Sequence, residues 1–500
     1  MRIHRPLATL LLVPVLASCA GKGPASTANA VRGEFHATLD GDTREWPEVS
    51  AVAADRHFAY FRFTVENEQF TLQAAPEELV LMLDVDAATA TGRTSELEPL
   101  DSMGIDLEVR FSPRRTASGG ASSAGTGVEL GTIDAYGNSE RLPALAADFM
   151  FSPTYASSWY EARLSRTPSA TGLLPTEGLL SEGSMQGLWA IKDANGTVVG
   201  YSDPFVIRMP PAADGPKMFT ADLPLKPNDA LRVMSFNIHD SGPVNDPQTF
   251  ERLFDAVSPD IVLVQEWEHG DAAALEAWFT AMVSSDSGWY VVKPPGDKSN
   301  GGAVAIISRY PVAPVAEGLR SGSSDGKAGK PVRFAAARLD TPIGVVFAAS
   351  THLKCCGTKD SREDVQRMDE ARAIAQVMGA AASMSEDAIL IVGGDINLVG
   401  SRPPLDLLRA GWDSDQSDLA VADAFVLGDR SMYTWADDSS PFTPGRLDYI
   451  IYGDANARVV NAFVLDTRRL SDESLARLGL DRADSACSDH RPVVVDLVRR

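Results

Sequence analysis

The chain has 500 residues, 44% of them hydrophobic and 23% charged; this is globular rather than disordered material, too long for one ordinary core, and it predicts two or three domains. The formal net charge of −23 weighs against tight, sequence-independent binding of nucleic acid, which needs clustered Lys and Arg to release counterions. A local basic patch escapes that argument, so the exclusion is partial.

At the N-terminus, Arg2 and Arg5 precede an apolar run from Leu7 to Leu16, and Ala17, Ser18 and Cys19 follow. This reads as an export signal over residues 1–18 ending in a bacterial lipobox, with Cys19 the lipidated first residue of the mature chain. Two or three acyl chains, at about 0.8 kcal/mol per buried methylene, would give near-permanent anchoring. Ala20, rather than Asp, after the cysteine fits outer-membrane sorting, so the expected location is the cell envelope. Residues 19–32 are small and polar, as a flexible tether is built. No later stretch approaches the roughly 18 apolar residues that a membrane span needs.

Residues 33–209 show short runs of alternating apolar and polar character: 57–65, 78–86, 105–111, 157–164 and 188–193. Val, Phe, Tyr and Trp at period two with Gly, Pro and Asp between them predict an antiparallel β-sandwich. The Gly/Ser-rich segments 116–127 and 167–184 read as loops. The DGDTREWP opening, the LDVDAATATGR segment and the strand from Trp159 to Leu164 resemble family 9-like carbohydrate-binding modules. That resemblance implies a glycan partner; a spacer role is the plainer alternative. Asp84 and Asp86 offer hard oxygen ligands for Ca²⁺, although carboxylates at i and i+2 are commonly a solvated turn.

The proline-rich stretch 210–229 reads as a linker. From 230 to 500 strand patterns alternate with helical ones: strands at 231–238, 260–266, 302–308, 332–340, 344–351, 388–393, 447–452, 459–466 and 492–498, helices at 249–257, 272–282 and 362–382. Helix-linked and directly joined strands together predict an α/β (α+β) domain of two packed mixed sheets with outer helices. Short polar motifs close several of these strands: MSFNI at 234–238, VQE at 264–266, THL at 351–353, GGDIN at 393–397, RLDYI at 446–450 and SDH at 488–490. Strand ends that carry Asn, Glu, Asp or His place polar groups where a sheet meets solvent, so one shared site is expected.

In this order the motifs resemble the endonuclease/exonuclease/phosphatase superfamily of metal-dependent phosphodiesterases, over about 231–498. The resemblance implies a four-layer sandwich and hydrolysis of a phosphoester, an anion that repels nucleophiles until its charge is neutralised and a water is positioned. It implies that Glu266 and Asn237 hold Mg²⁺, for which Mn²⁺ can substitute, with Asp489 a further ligand or orienting group; Glu268 is a solvent-facing decoy. Asp395, at period two from Asn397, would align or deprotonate the water while Asn397 donates to the phosphate, an Asx turn being the structural alternative. His490 would be base or transition-state stabiliser, with its tautomer fixed by Asp448, and the choice of base between Asp395 and His490 stays open. His352 would bind a nonbridging oxygen opposite His490, Arg367 would aid orientation, and His239 and His269 lie close to motifs.

Cys355, Cys356 and Cys487 sit within a few residues of His352 and His490, so a disulfide from Cys487 to either partner would staple the two histidine loops in an oxidising compartment. The expected substrate is a phospholipid or sphingolipid head group or extracellular nucleic acid, chosen by loops at 293–300 and 318–330, and a monomer is expected. The rival class is a noncatalytic, glycan-binding adhesin with a degenerate hydrolase domain.

Overall fold

The computed structural model describes residues 35–500 except 48–50, 66–69, 96–99, 117–121, 124–125, 143, 145–146, 168–179, 181, 194, 215–219, 317 and 323–328. The expected signal peptide, Cys19 and the tether at 19–32 lie outside the described residues, as do parts of the segments 116–127, 167–184, 210–229 and 318–330. The described residues form two compact units, one drawn from Met1–Lys217 with Asp437–Gly445, the other from Met218–Ala436 with Arg446–Arg500. Asp437–Gly445, placed by sequence in the second domain, thus groups with the first. The reason is local bonding: Val128 N donates to Pro441 O at 2.8 Å and Thr443 N to Gln73 Oε1 at 2.8 Å.

The first unit is antiparallel throughout its named pairings. One sheet runs Val52–Ala54, Phe58–Thr64, Trp159–Ser165, Met150–Ser152; the other runs Val198–Tyr201, Gly183–Lys192, Glu78–Asp84, Leu107–Phe111, Val128–Ile133, Ser139–Leu142, with Phe205–Met209 also pairing to Gly183–Lys192. Period two divides the central strand cleanly: Leu79, Leu81 and Leu83 enter the main core with Phe61, Phe63, Phe111 and Trp189, whereas Val80 and Met82 enter a second cluster with Met103, Ile105 and Leu188. Both faces of that strand are therefore covered, and its aromatic neighbours are core rather than an exposed stacking platform. Asp84, Asp86 and Asp106 bring carboxylate oxygens within 4.8 Å of one another. Those oxygens already accept from the backbone N–H groups of Ala88, Gly104 and Val85.

In the second unit two sheets carry the motifs. The first runs Tyr290–Val292, Val304–Ser308, Ile261–Gln265, Leu231–Asn237, Val493–Arg499, Ala457–Val464, Phe425–Val426; the second runs Val312–Pro314, Phe334–Thr341, Gly344–His352, Ile389–Asp395, Asp448–Tyr452, Ala420–Val421. Each is mixed, with a parallel central pair, Leu231–Asn237 beside Ile261–Gln265 and Gly344–His352 beside Ile389–Asp395. Helices Pro247–Val257 and Ala272–Met282 cover the outer face of the first sheet through Phe250, Leu253, Phe254, Leu275 and Phe279, packed on Met234 and Phe236. The long helix Arg362–Ala382, N-capped by Ser361 and acidic in its first turn, belongs to the other outer layer. Four layers result, as expected from the sequence.

The inner faces meet closely because of one glycine. A Cβ at Gly393 would lie 2.6 Å from Leu263 Cδ1 of the facing sheet. Beside it, Gln265 Nε2 donates to Ser350 Oγ at 3.0 Å and Ser350 Oγ to Val264 O at 2.8 Å, which ties the two sheets together, while Gln265 Oε1 and Ser235 Oγ are buried there without a partner among the described residues.

Candidate functional site

Strand register, more than any single residue, assembles this site. His352 lies opposite Asp395, and Asp395 opposite Asp448, so three neighbouring strands present one residue each in a single row at the edge of the second sheet. Residues in one row project to the same face. In the first sheet Asn237 lies opposite Gln265, and Glu266 follows with φ +65°, a left-handed turn that redirects its carboxylate from the line of the strand.

Asn237 joins the two sheets chemically. Its Nδ2 donates to Glu266 Oε1 and to Asp395 Oδ2, both at 3.3 Å. Its carbonyl accepts from Ser488 Oγ at 2.8 Å, and Ser488 Oγ accepts from His490 N at 3.0 Å, which docks the SDH turn against the strand end. Glu266 Oε2 accepts from Asp240 N at 3.0 Å. Asn397, itself left-handed at φ +52°, donates to Asp395 through both N and Nδ2, at 3.0 and 2.9 Å, and Nδ2 also reaches Leu353 O at 3.2 Å. The Asx turn therefore exists and holds both oxygens of the proposed water-aligning carboxylate.

The two histidines approach one oxygen. His352 Nε2 lies 3.3 Å and His490 Nε2 3.7 Å from Asp395 Oδ2. On the far side of His490, Nδ1 is 2.7 Å from Asp448 Oδ2, which also accepts from Thr434 Oγ1 at 2.7 Å. On the far side of His352, Nδ1 is 3.2 Å from Arg333 Nη1. Burial opposes a charge on His490, but Asp448 and then Asp395 outweigh it and push the imidazole up to about 10. Burial, then Arg333 and His490, hold His352 well below its usual range. Asp395 is pushed up, first by burial, with Asp448 and Glu266 adding to it against His490.

Asn237, Glu266, His352, Asp395, Asn397, Asp448 and His490 are thus brought together. Asp489 stands at the rim: Oδ2 accepts from Trp435 Nε1 at 2.9 Å and Oδ1 lies 3.1 Å from His239 Nδ1. Glu268 instead pairs with Lys298, and His269 N donates to Ser241 Oγ. Arg367 does not reach the site: it is fully buried behind the loop after THL, holding Lys354 O, Cys356 O and Asp364. The disulfide expected from Cys487 is not formed, since Cys355, Cys356 and Cys487 are free and the two adjacent sulfurs face each other instead. Arg333, Thr434 and Trp435 were not anticipated. None stands in a polar strand-end motif; Arg333 arrives by pairing, its carbonyl accepting from His352 N at 3.1 Å, and Thr434 and Trp435 by a bridge between Trp435 and His490. Ser488 was legible inside SDH.

The donor set fits a divalent cation. Glu266 supplies hard carboxylate oxygens beside a left-handed turn, the Asn237 amide oxygen accepts from His239 N at 3.1 Å while its Nδ2 faces Glu266, and Asp395, Asp448 and His490 place ligand atoms within 4.8 Å of one another. Asp448 Oδ1 is buried without a hydrogen-bond partner. That acceptor-rich surround favours a positively charged ligand over an apolar one.

A family model described as the Endonuclease/Exonuclease/phosphatase family matches residues 234–490. No curated protein matches the chain. Among solved structures, the human Nocturnin catalytic domain with bound sulfate is 20% identical, covering 55% of this chain and 97% of its own at a TM-score of 0.36. An endonuclease/exonuclease/phosphatase from Beutenbergia cavernae DSM 12333 is 20% identical, covering 54% and 72% at 0.35. Sphingomyelinase C from Streptomyces griseocarneus is 18% identical, covering 53% and 99% at 0.34.

Proposed function

The chain belongs to the endonuclease/exonuclease/phosphatase family, and from that premise we propose that its second unit hydrolyses a phosphoester at the cluster between its two sheets. The observation that carries the reading is the convergence of both imidazole Nε2 atoms on Asp395 Oδ2, with Asn237 bridging that oxygen to Glu266. Glu266 and Asn237 would hold Mg²⁺ or Mn²⁺, with Asp489 at the rim, and the cation would neutralise phosphoryl charge when bound.

The rest falls to the side chains. Asp395, with both oxygens fixed by Asn397, aligns a water for attack on phosphorus and accepts its proton. His490 keeps one proton on Nδ1 against Asp448 and, held cationic by Asp448 and Asp395, a second on Nε2, which donates to the phosphoryl group and stabilises the charge that develops there. His352 donates from its opposite flank. A phosphorus–oxygen bond forms to the water, the ester bond breaks, and the departing oxygen takes up a proton.

We further infer export and anchoring through Cys19, which would keep the site near membranes and favours a phospholipid or sphingolipid head group, or extracellular nucleic acid, as substrate. The motif Leu16-Ala17-Ser18-Cys19 supports the anchor. The test is hydrolysis of a chromogenic phosphodiester with Mg²⁺, with chelator, and by Asp395→Ala. Activity lost with chelator and in the variant is expected; wild-type protein no faster than the variant refutes the proposal.

A further inference from the structure

Three residues past His352 the chain carries adjacent thiols that phosphoester hydrolysis leaves unused. Cys356 Sγ lies 3.0 Å from Cys355 Sγ, and Lys354 Nζ lies 3.3 Å from Cys355 Sγ. Consecutive side chains in extended backbone point apart. Here they face each other because Cys356 and Gly357 are left-handed, at φ +69° and +78°. The turn is held from below: Arg367 Nη1 donates to Lys354 O at 2.8 Å and to Cys356 O at 2.7 Å, and Glu370 Oε2 accepts from Lys354 N at 2.8 Å. Cys356 is exposed and Cys355 half-buried, so small reagents reach the pair.

We propose that Cys355 and Cys356 are a redox-active vicinal dithiol, a modification site that closes to a cyclic disulfide and thereby unpairs Lys354 beside the phosphoester site. The consequence for Lys354 rests on the function proposed above; ring closure does not. The hydrogen bond from Cys356, followed by Lys354, lowers the Cys355 thiol below its usual range, while the same contact raises Cys356. One sulfur is thus the attacking thiolate and its neighbour the resolving thiol.

With a small-molecule disulfide as oxidant, the Cys355 thiolate attacks one sulfur and expels a thiolate, leaving a mixed disulfide. Cys356 gives its proton to the departing thiolate, attacks Cys355 Sγ and expels the second. Two protein sulfurs are oxidised and one disulfide is reduced to a thiol and a thiolate, the latter carrying the charge that began on Cys355. Before closure the thiolate offsets the Lys354 ammonium; afterwards that cation has lost this counter-charge, with Glu363 still interacting with it, and its field reaches His352.

Full-length protein incubated with oxidised glutathione should yield a Cys355–Cys356 peptide lighter by two hydrogens and resistant to alkylation. Cys487→Ser should behave identically, and Cys356→Ser should hold one glutathione on Cys355. Reduced wild type should bind phenylarsine oxide one to one, and Cys356→Ser should not. On closure, KM for an anionic phosphodiester at low salt should fall roughly threefold, the scale of one exposed ion pair, and Lys354→Gln should show no such response. Both thiols still alkylated after oxidation, or a disulfide from Cys487, overturns the dithiol. A closed ring with unchanged KM overturns the role of Lys354. Absence of turnover in every form would count against the phosphoester reading, while the mapping still decides the ring.

Discussion

A guanidinium has donors only, so Arg333 Nη1 at 3.2 Å from His352 Nδ1 dictates that this nitrogen accepts and that Nε2 carries the proton. At His490 the neighbour of Nδ1 is instead a carboxylate oxygen of Asp448 at 2.7 Å, so Nδ1 carries a proton, and the carboxylates that push this imidazole up keep a second proton on Nε2. The two imidazoles are thereby given different jobs by their outer partners. Arg333 is a positioning residue, and Arg333→Met should lower kcat about a hundredfold with KM nearly unchanged, with Arg333→Lys recovering part of the loss. Nitrogen NMR of His352 should show the Nε2–H form weakened in Arg333→Met; an unchanged tautomer with the same loss of kcat would contradict this role. Asp448→Asn should lose about 10⁴-fold in kcat by removing the acceptor that fixes His490, as at other His–Asp pairs. In the first unit, Glu161 is fully buried, accepts from Trp46 Nε1 at 2.7 Å and from Gly41 N at 3.1 Å, and is pushed up to about 8 by burial. The folded state therefore binds a proton that the unfolded chain has released, and stability falls as pH rises from about 4.5 toward about 8. Glu161→Gln should remove roughly 1–3 kcal/mol of that slope, seen in calorimetry as a first-unit Tm that no longer drops between pH 5 and pH 8.

Elements set what those residues can do. His352, Asp395 and Asp448 share a row because the parallel pairing of Gly344–His352 with Ile389–Asp395 and the antiparallel pairing of Ile389–Asp395 with Asp448–Tyr452 stay in register to their ends. A slip of one residue would send the carboxylates to the opposite face. Gly393 guards that register by letting Leu263 close on the strand, so Gly393→Val should cost about 1–3 kcal/mol in denaturant unfolding and more in activity than in fold content. Gly394, at φ +150°, has Thr351 O where its Cβ would be, 1.8 Å away. Much of this was legible: the helices expected at 272–282 and 362–382 from their sequence pattern match those observed. The GGDIN and SDH strand ends also carried their signal in the letters. What escaped was short or nonlocal. Tyr290–Val292, Val312–Pro314 and Phe425–Val426 are edge or near-edge strands with too few residues for a period to show. Arg333 and Thr434 are ordinary residues locally and acquire meaning only through a neighbour far along the chain. The Cys487 pairing failed for the opposite reason: nearness in sequence to two histidines says nothing of which sulfur the Cys356 backbone turns toward.

At the scale of the molecule, charge separates the substrate classes that the site leaves open. The chain carries 68 acidic against 45 basic residues, so its mean field repels a long polyanion. The cations that reach His352, Arg333, Lys298 and Lys354, are local, and Lys298 is already paired with Asp240 and Glu268. Screening acts over about 8–10 Å at physiological salt, which quenches the distant acidic field while leaving buried contacts within the site largely intact. A dedicated nucleic-acid enzyme, gaining affinity by counterion release, loses it steeply with salt. The opposite is expected here: kcat/KM on DNA should rise as salt goes from low to physiological, whereas kcat/KM on a zwitterionic head group such as sphingomyelin should hardly change. A steep fall on DNA over the same range would mean that a basic track, rather than the average surface, governs encounter, and would make nucleic acid the preferred substrate.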